Sequence, residues 1–262
     1  MKNKNTLVVI FLLFALIGGL VAIKLRRSSS PSSSSQVTQT PSPLAVNTIP
    51  VTQRPFATLT PDVSGHNLFL YLDRPQTQAT IDYEIVYTAG NKEEGAFGHL
   101  DLAQEKLPIT KKILLGSKSA GGSITYHEGV TGGYLALTYD QIKLKEDFNF
   151  LRFDPKNADG YSSVDARFTA YFSAKQLPKN TVVLIMKSFG LPQPLPQGKI
   201  IVGPYYVGTA KNIAPQKIEI RVSANQPVLY EYVKGEWVKL ETDYQDKTLT
   251  AIPSSNLFVV AE

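Results

Sequence analysis

The chain has 262 residues, of which 43% are hydrophobic and 19% are charged, and it contains no cysteine. A chain of this length and apolar content folds into one or two packed domains and is too apolar to be disordered throughout. The missing thiol excludes a disulfide framework, a cysteine-ligated metal centre, a cysteine nucleophile and a lipidated lipoprotein.

The net charge of +5 is concentrated near the N-terminus. Residues 1–55 carry six basic side chains and no acidic one, which leaves 21 basic and 22 acidic residues for the rest of the chain. A nucleic-acid-binding domain needs clustered lysine and arginine against the phosphates. We therefore expect no nucleic-acid partner.

Residues 6–23 form an apolar segment without a charge. As a helix rising ~1.5 Å per residue it would span ~27 Å, close to the thickness of the hydrocarbon layer. A cleaved signal peptide is the alternative, but its apolar core is normally ~7–15 residues long and is followed by a small-residue cleavage site. Here the segment ends in Lys24 and Arg26. We expect a retained signal-anchor, a single transmembrane helix with the lipid bilayer as its partner.

The charges flanking this segment do not orient it, because three positive charges stand on each side. Residues 24–55 are rich in Ser, Pro and Thr, with no charge between Arg27 and Arg54. Such a flexible linker, of about 28 residues, has a reach of ~30 Å and suits a domain held away from a membrane surface. We expect residues 1–5 in the cytoplasm and the C-terminal part outside it, at the cell membrane. A linker on the inner face is the alternative.

From residue 56 onward, apolar and polar residues alternate with a period of two, which is typical of half-buried strands. Clear examples are residues 81–87, 166–172 and 218–222. About fifteen such segments and no long helical period predict an all-β chain of antiparallel, Ig-like β-sandwiches. A cluster of turn-forming residues at 154–163 divides them into a first domain at 56–155 and a second at 160–262.

Residues 114–133 gather glycines, serines, a histidine and a glutamate. They match neither a P-loop, nor a nucleophile elbow, nor a zinc-protease helix. Glycine-rich turns around a strand at 123–127 account for the same residues. The catalytic candidates for a hydrolase are Ser117, Ser119, His127 and Glu128.

Two metal hypotheses rest on oxygen and imidazole ligands. The three histidines of the chain, His66, His99 and His127, would have to converge, which their spacing does not decide. Residues 154–165 resemble a calcium loop with two ligand positions out of register, and an ordinary Asx-rich turn is the alternative. The calcium candidates are Asp154, Asn157, Asp159 and Asp165. No other cofactor is expected.

Aromatic residues crowd the second half of the body. An exposed row of rings would suit sugar or peptide ligands, whereas strand alternation would turn several of the rings into the core. The ligand-binding candidates are Tyr205, Tyr206, Tyr230, Tyr232 and Trp237.

The last part of the chain contains three recognisable motifs: Gly203-Pro204-x-Tyr206, Pro215 before the strand at 218–222, and Trp237-x-x-Leu240. In these features residues 202–262 resemble the ZU5-like β-sandwich modules of bacterial surface and cell-envelope proteins. The loop before the tryptophan, Lys234-Gly235, is shorter than in that family. The resemblance implies a structural or interaction role and transfers no residue's function.

These features predict a membrane-anchored, extracytoplasmic β-sandwich protein that acts as a structural, adhesion or ligand-binding module. A membrane-anchored hydrolase of cell-envelope polymers is one alternative. An accessory subunit of a membrane complex, using exposed sheet edges to pair with partner strands, is the other.

Overall fold

The computed structural model describes residues 44–262, so the predicted anchor and residues 24–43 of the predicted linker lie outside the described residues. Within 44–262, no helix is long and apolar enough to cross a membrane. The described part contains one short 3₁₀ turn, Val51–Gln53, and nineteen strands.

The strands are numbered along the chain. They are β1 Phe56–Pro61, β2 Asn67–Asp73, β3 Thr80–Ala89, β4 Lys92–Asp101, β5 Ile109–Leu114, β6 Gly116–Lys118, β7 Ile124–Tyr126, β8 Val130–Tyr139, β9 Ile142–Arg152, β10 Tyr161–Ser162, β11 Phe168–Tyr171, β12 Val182–Lys187, β13 Ile200–Gly208, β14 Lys217–Arg221, β15 Val228–Val233, β16 Glu236–Lys239, β17 Asp243–Gln245, β18 Thr248–Ala251 and β19 Leu257–Ala261.

A nine-stranded antiparallel sheet runs through the whole body in the order β16-β15-β19-β13-β12-β9-β8-β3-β4. A three-stranded sheet, β1-β2-β5, and a five-stranded sheet, β10-β11-β14-β18-β17, pack on it, and β6 pairs with β7 as a separate hairpin. The predicted all-β class with antiparallel sheets is confirmed. The nine-stranded sheet contains strands from both predicted domain ranges, and β9 pairs with β12 across the predicted boundary.

Strand β12 belongs to two hydrophobic cores at once. Leu184 and Met186 lie in the first core, with side chains of the three-stranded sheet, whereas Val183 and Ile185 lie in the second, with side chains of the five-stranded sheet. Side chains alternate between the two faces of a strand. The smaller sheets therefore cover opposite faces of the long sheet, and the apolar run VVLIM in β12 is buried on both sides.

Residues 44–55, the last part of the predicted linker, pack against strand β9. Val46 forms a parallel bridge with Lys143, and the Asn47 amide N–H donates to the Lys143 carbonyl at 2.9 Å. The Asn47 side chain then forms two bonds with the Lys145 backbone, donating to its carbonyl at 2.8 Å and accepting its N–H at 3.0 Å. The chain is therefore attached to the body from residue 46 onward, ten residues before β1.

Candidate functional site

The serine candidates and the histidine candidate are not joined by a hydrogen bond in the described part of the chain. Ser117 and Ser119 are exposed on the β6–β7 hairpin, where Ser119 Oγ accepts the N–H of Ser123 at 3.1 Å. His127 Nδ1 instead lies 2.9 Å from the hydroxyl of Tyr87. A hydrolase of the serine type needs its nucleophile within hydrogen-bond reach of the base. The two serines therefore belong to the exposed hairpin, and His127 lies beside Tyr87 at the edge of the first core.

The three histidines have different neighbours. His66 stacks on Tyr126 with ring centroids 4.0 Å apart, and its Nε2 lies 3.9 Å from a carboxylate oxygen of Glu128. His99 contacts Asp82 at 2.6 Å. Residues 44–262 contain no group of three or more His, Asp or Glu arranged to hold a metal ion.

The calcium candidates fall into two separate places. Asp154 Oδ1 accepts the N–H of Lys156 at 3.0 Å, and Asn157 Oδ1 accepts the N–H of Asp159 at 3.1 Å, as in Asx turns. Asp165 is instead engaged by a lysine ammonium, as described below. In this turn, side-chain oxygens of Asp154 and Asn157 therefore accept hydrogen bonds from backbone N–H groups of the turn itself.

The five aromatic candidates divide between the cores and the surface. Tyr205 and Tyr230 are buried, and Tyr206 is half-buried with its hydroxyl in a 2.8 Å hydrogen bond to strand β1. Tyr232 and Trp237 are only partly buried. These two rings lie directly opposite each other on β15 and β16.

Tyr232 and Trp237 form an edge-to-face pair, with centroids 5.1 Å apart and planes at 60°. The tight turn that joins their strands has φ of +49° at Lys234 and +97° at Gly235, as hairpins with two-residue turns require. This turn fixes the register that sets the two rings opposite each other. The shortened loop noted in the sequence is thus what positions the pair.

A third ring, Tyr71 on β2, extends this surface. Burial raises the pKa of Tyr71, and the nearby Asp73 and Tyr232 raise it further. Phe56 contacts Tyr71 edge-to-face, with ring centroids 5.9 Å apart. We call Tyr71, Tyr232 and Trp237 the aromatic surface; it lies where the three-stranded sheet meets the nine-stranded sheet.

The loop between β12 and β13 holds the aromatic surface in place. Trp237 Nε1 donates to the Gln193 carbonyl at 2.8 Å, and the ring packs on a small cluster with Leu195 and Ile200. Arg74 donates to the carbonyl of Pro192, in the same loop, at 3.0 Å. The indole is therefore fixed before any ligand arrives, which lowers the entropy cost of binding.

A second feature is a charged cavity of about 120 Å³ between β9, β12 and the loop before β11. Glu146, Asp147, Asp165 and Lys187 line it. Asp165 accepts hydrogen bonds from Lys187 Nζ at 2.7 Å, the Tyr205 hydroxyl at 2.9 Å and Ser163 Oγ at 2.6 Å. Burial alone would raise the pKa of Asp165, but these donors lower it to about 2.

Glu146 behaves in the opposite way on the other side of the cavity. Within residues 44–262 its one ion-pair partner is Arg54, at 3.1 Å, and the side chains of Glu146 and Arg54 are 13% and 9% exposed. Burial raises the pKa of Glu146 to about 7, against the opposing effects of Arg54 and Lys187. Burial likewise lowers the pKa of Arg54. Desolvation therefore outweighs the attraction within this pair.

Arg54 also attaches the N-terminal segment to the body. Its guanidinium donates to the carbonyls of Ile49 at 2.9 Å and Asn47 at 3.3 Å. Gly190 lets the backbone at Arg54 and Pro55 approach closely, because a Cβ on Gly190 would collide with their carbonyl oxygens. We call Asn47, Arg54 and Glu146 the clamp.

Sequence reasoning did not single out the clamp or Lys187. One signal was present in β9, where Leu144, Phe148 and Phe150 point into the first core. Glu146 has the same phase, so an acidic residue stands in the apolar row of the strand. Arg54 carried no comparable signal, because it lies in a segment without periodicity.

Comparisons with protein-family models, curated proteins and solved structures found no match to this chain. They therefore do not confirm the ZU5-like resemblance, and the aromatic surface and the clamp have to be interpreted from their own chemistry.

Proposed function

We propose that this protein is a single-pass, membrane-anchored binding module that holds its β-sandwich body outside the cytoplasm and contacts a glycan of the cell envelope. The apolar segment 6–23 and the uncharged, Ser- and Pro-rich linker support the anchored arrangement. The clamp supports it as well, since it begins at residue 47, in the last part of the predicted linker, and ties the chain into strand β9.

The aromatic surface is the observation that carries the binding function. Tyr232 and Trp237 are partly exposed, and they are held by a tight turn, by the Gln193 carbonyl and by packing of Trp237 against a small hydrophobic cluster. Partly exposed aromatic rings of fixed orientation offer apolar faces beside polar edges. Asp73 and Arg74, which both influence the pKa of Tyr232, supply polar groups next to the rings.

A sugar ring matches this combination. Its axial C–H groups present an apolar face, and its hydroxyls require donors and acceptors at the rim, as ligand sites generally provide. The three rings are only partly buried, which suits a segment of a long polymer better than an enclosed small molecule. We therefore infer an extended glycan as the ligand.

The binding test uses Trp237 as its own reporter, because it is the only tryptophan in the chain. The full chain in a neutral detergent is titrated with N-acetylglucosamine oligomers while tryptophan fluorescence is followed, and it is co-sedimented with insoluble peptidoglycan. We expect a saturable change in fluorescence and retention in the pellet. Tyr232→Ala and Tyr71→Ala should each weaken binding roughly tenfold, which corresponds to about 1.4 kcal/mol.

Phe97→Ala is the matched control, because Phe97 is an aromatic residue on β4 that is 88% exposed. It lies at the other end of the nine-stranded sheet from β16. Equal losses for Phe97→Ala and Tyr232→Ala would refute the aromatic surface as the site. The location is tested separately by adding protease to intact or wall-stripped cells; survival of the C-terminal body until lysis would contradict the proposed orientation.

A further inference from the structure

A cleft of about 540 Å³ opens at one end of the second core, on a different part of the body. Its rim carries Arg167, Arg221 and Lys247, and its floor includes Val202 and Val222. The two valines are almost fully buried members of the second core. The cleft therefore combines three cations with a small apolar floor.

The two arginines are neighbours across adjacent strands. The backbone N–H of Arg221 donates to the carbonyl of Arg167 at 2.7 Å. Phe168 and Ile220, the adjacent residues in each strand, point into the second core, so alternation sets both arginines on the solvent side. Like charges at facing positions of a sheet destabilise it. The fold therefore gains nothing from this pair.

Lys247 lies in the turn between β17 and β18, and this turn places it at the same rim of the cleft. The N–H of Val222 donates to the carbonyl of Lys247 at 2.8 Å, which attaches the turn to β14. Asp246 and Lys247 have φ of +48° and +62°, a conformation in which glycine or asparagine is least costly. A lysine in this conformation is less favourable than glycine, and no ion pair of Lys247 within residues 44–262 compensates for that cost.

These cations form no close ion pair within the described part of the chain. None of the ion pairs formed by residues 44–262 includes Arg167, Arg221 or Lys247. Asp246 is the one carboxylate in the lining, so the cleft has a net charge of about +2. Three cations and one acid in the lining leave a site that is complementary to a doubly charged oxyanion.

We propose that this cleft binds a phosphate group. Guanidinium groups donate paired hydrogen bonds to phosphate oxygens, and a lysine adds a point charge. A carboxylate carries only one charge and would leave the cleft cationic. The apolar floor accepts the carbon atoms that a phosphate ester carries next to its charge. The inference is independent of the aromatic surface and of the anchor.

The test compares probes on the full chain in a neutral detergent. Inorganic phosphate, glycerol 3-phosphate and vesicles with phosphatidic acid represent free phosphate, a soluble phosphate monoester and a lipid headgroup, each with a phosphate that carries close to two negative charges at neutral pH, and acetate represents carboxylate. We expect amide NMR shifts at residues 167, 221–223 and 246–248 with the phosphate probes. Binding should weaken with added salt, and whichever of the three phosphate probes binds most tightly identifies the source.

Two variants separate a binding role from a structural role. R167Q/R221Q should raise the Kd for phosphate by roughly tenfold or more, the loss expected for a charge-assisted contact, while the melting temperature stays equal or rises. K247G should also weaken binding without lowering the melting temperature, because glycine fits its φ. K112Q/K156Q, which removes two exposed lysines outside the cleft, is the charge-matched control.

Three results would overturn the proposal. One is the absence of amide shifts with every phosphate probe. Another is acetate binding as tightly as phosphate. The third is an equal loss of binding in R167Q/R221Q and in K112Q/K156Q, which would mean that phosphate binding depends only on the net charge of the protein.

Discussion

The carboxylates of two ion pairs, Glu146 and Asp165, line the same 120 Å³ cavity, yet their pKa values are shifted in opposite directions. Glu146, paired with Arg54, has its pKa raised to about 7. Asp165, paired with Lys187, has its pKa lowered to about 2. The first pair is 13% and 9% exposed, and the second is 29% and 35% exposed.

The deeper burial of Glu146 and the larger number of donors to Asp165 together explain the difference. Asp165 accepts bonds from Lys187, Tyr205 and Ser163, and the N–H of Arg167 adds a fourth donor at 3.2 Å. Glu146 accepts one close charged bond, from Arg54 at 3.1 Å. A buried carboxylate is stabilised as an anion only when its oxygens are fully hydrogen-bonded. An ion pair in this body is therefore not a stabilising contact by virtue of its distance alone.

The largest expected effect follows from breaking the clamp with Arg54→Met. At pH 8 this leaves Glu146 buried without its cation and removes the donors to Ile49 and Asn47, so we expect a loss of about 3–5 kcal/mol in the free energy of unfolding. Urea unfolding followed by tryptophan fluorescence measures it. The loss should be smaller at pH 5, where Glu146 is protonated in the folded state.

The double variant Arg54→Met with Glu146→Met is the control for this experiment. Replacing both members of a buried pair by apolar groups is often neutral, so most of the lost stability should return. If the double variant is less stable than Arg54→Met, Glu146 contributes to the fold by itself and the comparison between the two pairs is wrong.

A slightly smaller effect is expected for the pH dependence of the free energy of unfolding that Glu146 causes. Its folded pKa lies above its usual 4.5, so between about pH 4.5 and 7 the folded state binds more protons than the unfolded state. Stability should therefore fall by about 3 kcal/mol as the pH rises through this window. Glu146→Gln should remove that fall, whereas Asp147→Asn, an exposed neighbour, should leave it. An unchanged pH slope in Glu146→Gln would contradict the assignment.

The alternating strands could be predicted from the sequence because each has one face in a core and one toward solvent. Strands β3, β11 and β14 show this pattern in the structure. Strand β1 could not be predicted in this way, because nearly every residue of FATLTP is buried and no alternation remains. The three-residue strands β6 and β17 are too short to have a period.

Long-range pairing explains the remaining differences. No local pattern specifies that β12 pairs with β9 across the turn at 154–163, although the unbroken apolar run of β12 indicates burial on both faces. The same limit applies to the aromatic candidates. The alternation of side chains along a strand places Tyr205 and Tyr206 on opposite faces of β13, but it does not tell which face is exposed to solvent. In β13 both faces are largely covered, whereas at the edge strand β16 Trp237 stays partly exposed.

The smallest expected effect concerns Asp165 and sharpens the comparison at acid pH. Its folded pKa of about 2 lies below the usual 3.8, so its contribution is present above about pH 4 and disappears as the pH falls toward 2. Asp165→Asn should cost roughly 2 kcal/mol at pH 6 and almost nothing at pH 2. Urea midpoints across this range measure the difference, with Asp159→Asn in the exposed turn as the control. A deficit that stays constant with pH would mean that Asp165 acts through packing, and its donors would then not account for the contrast with Glu146.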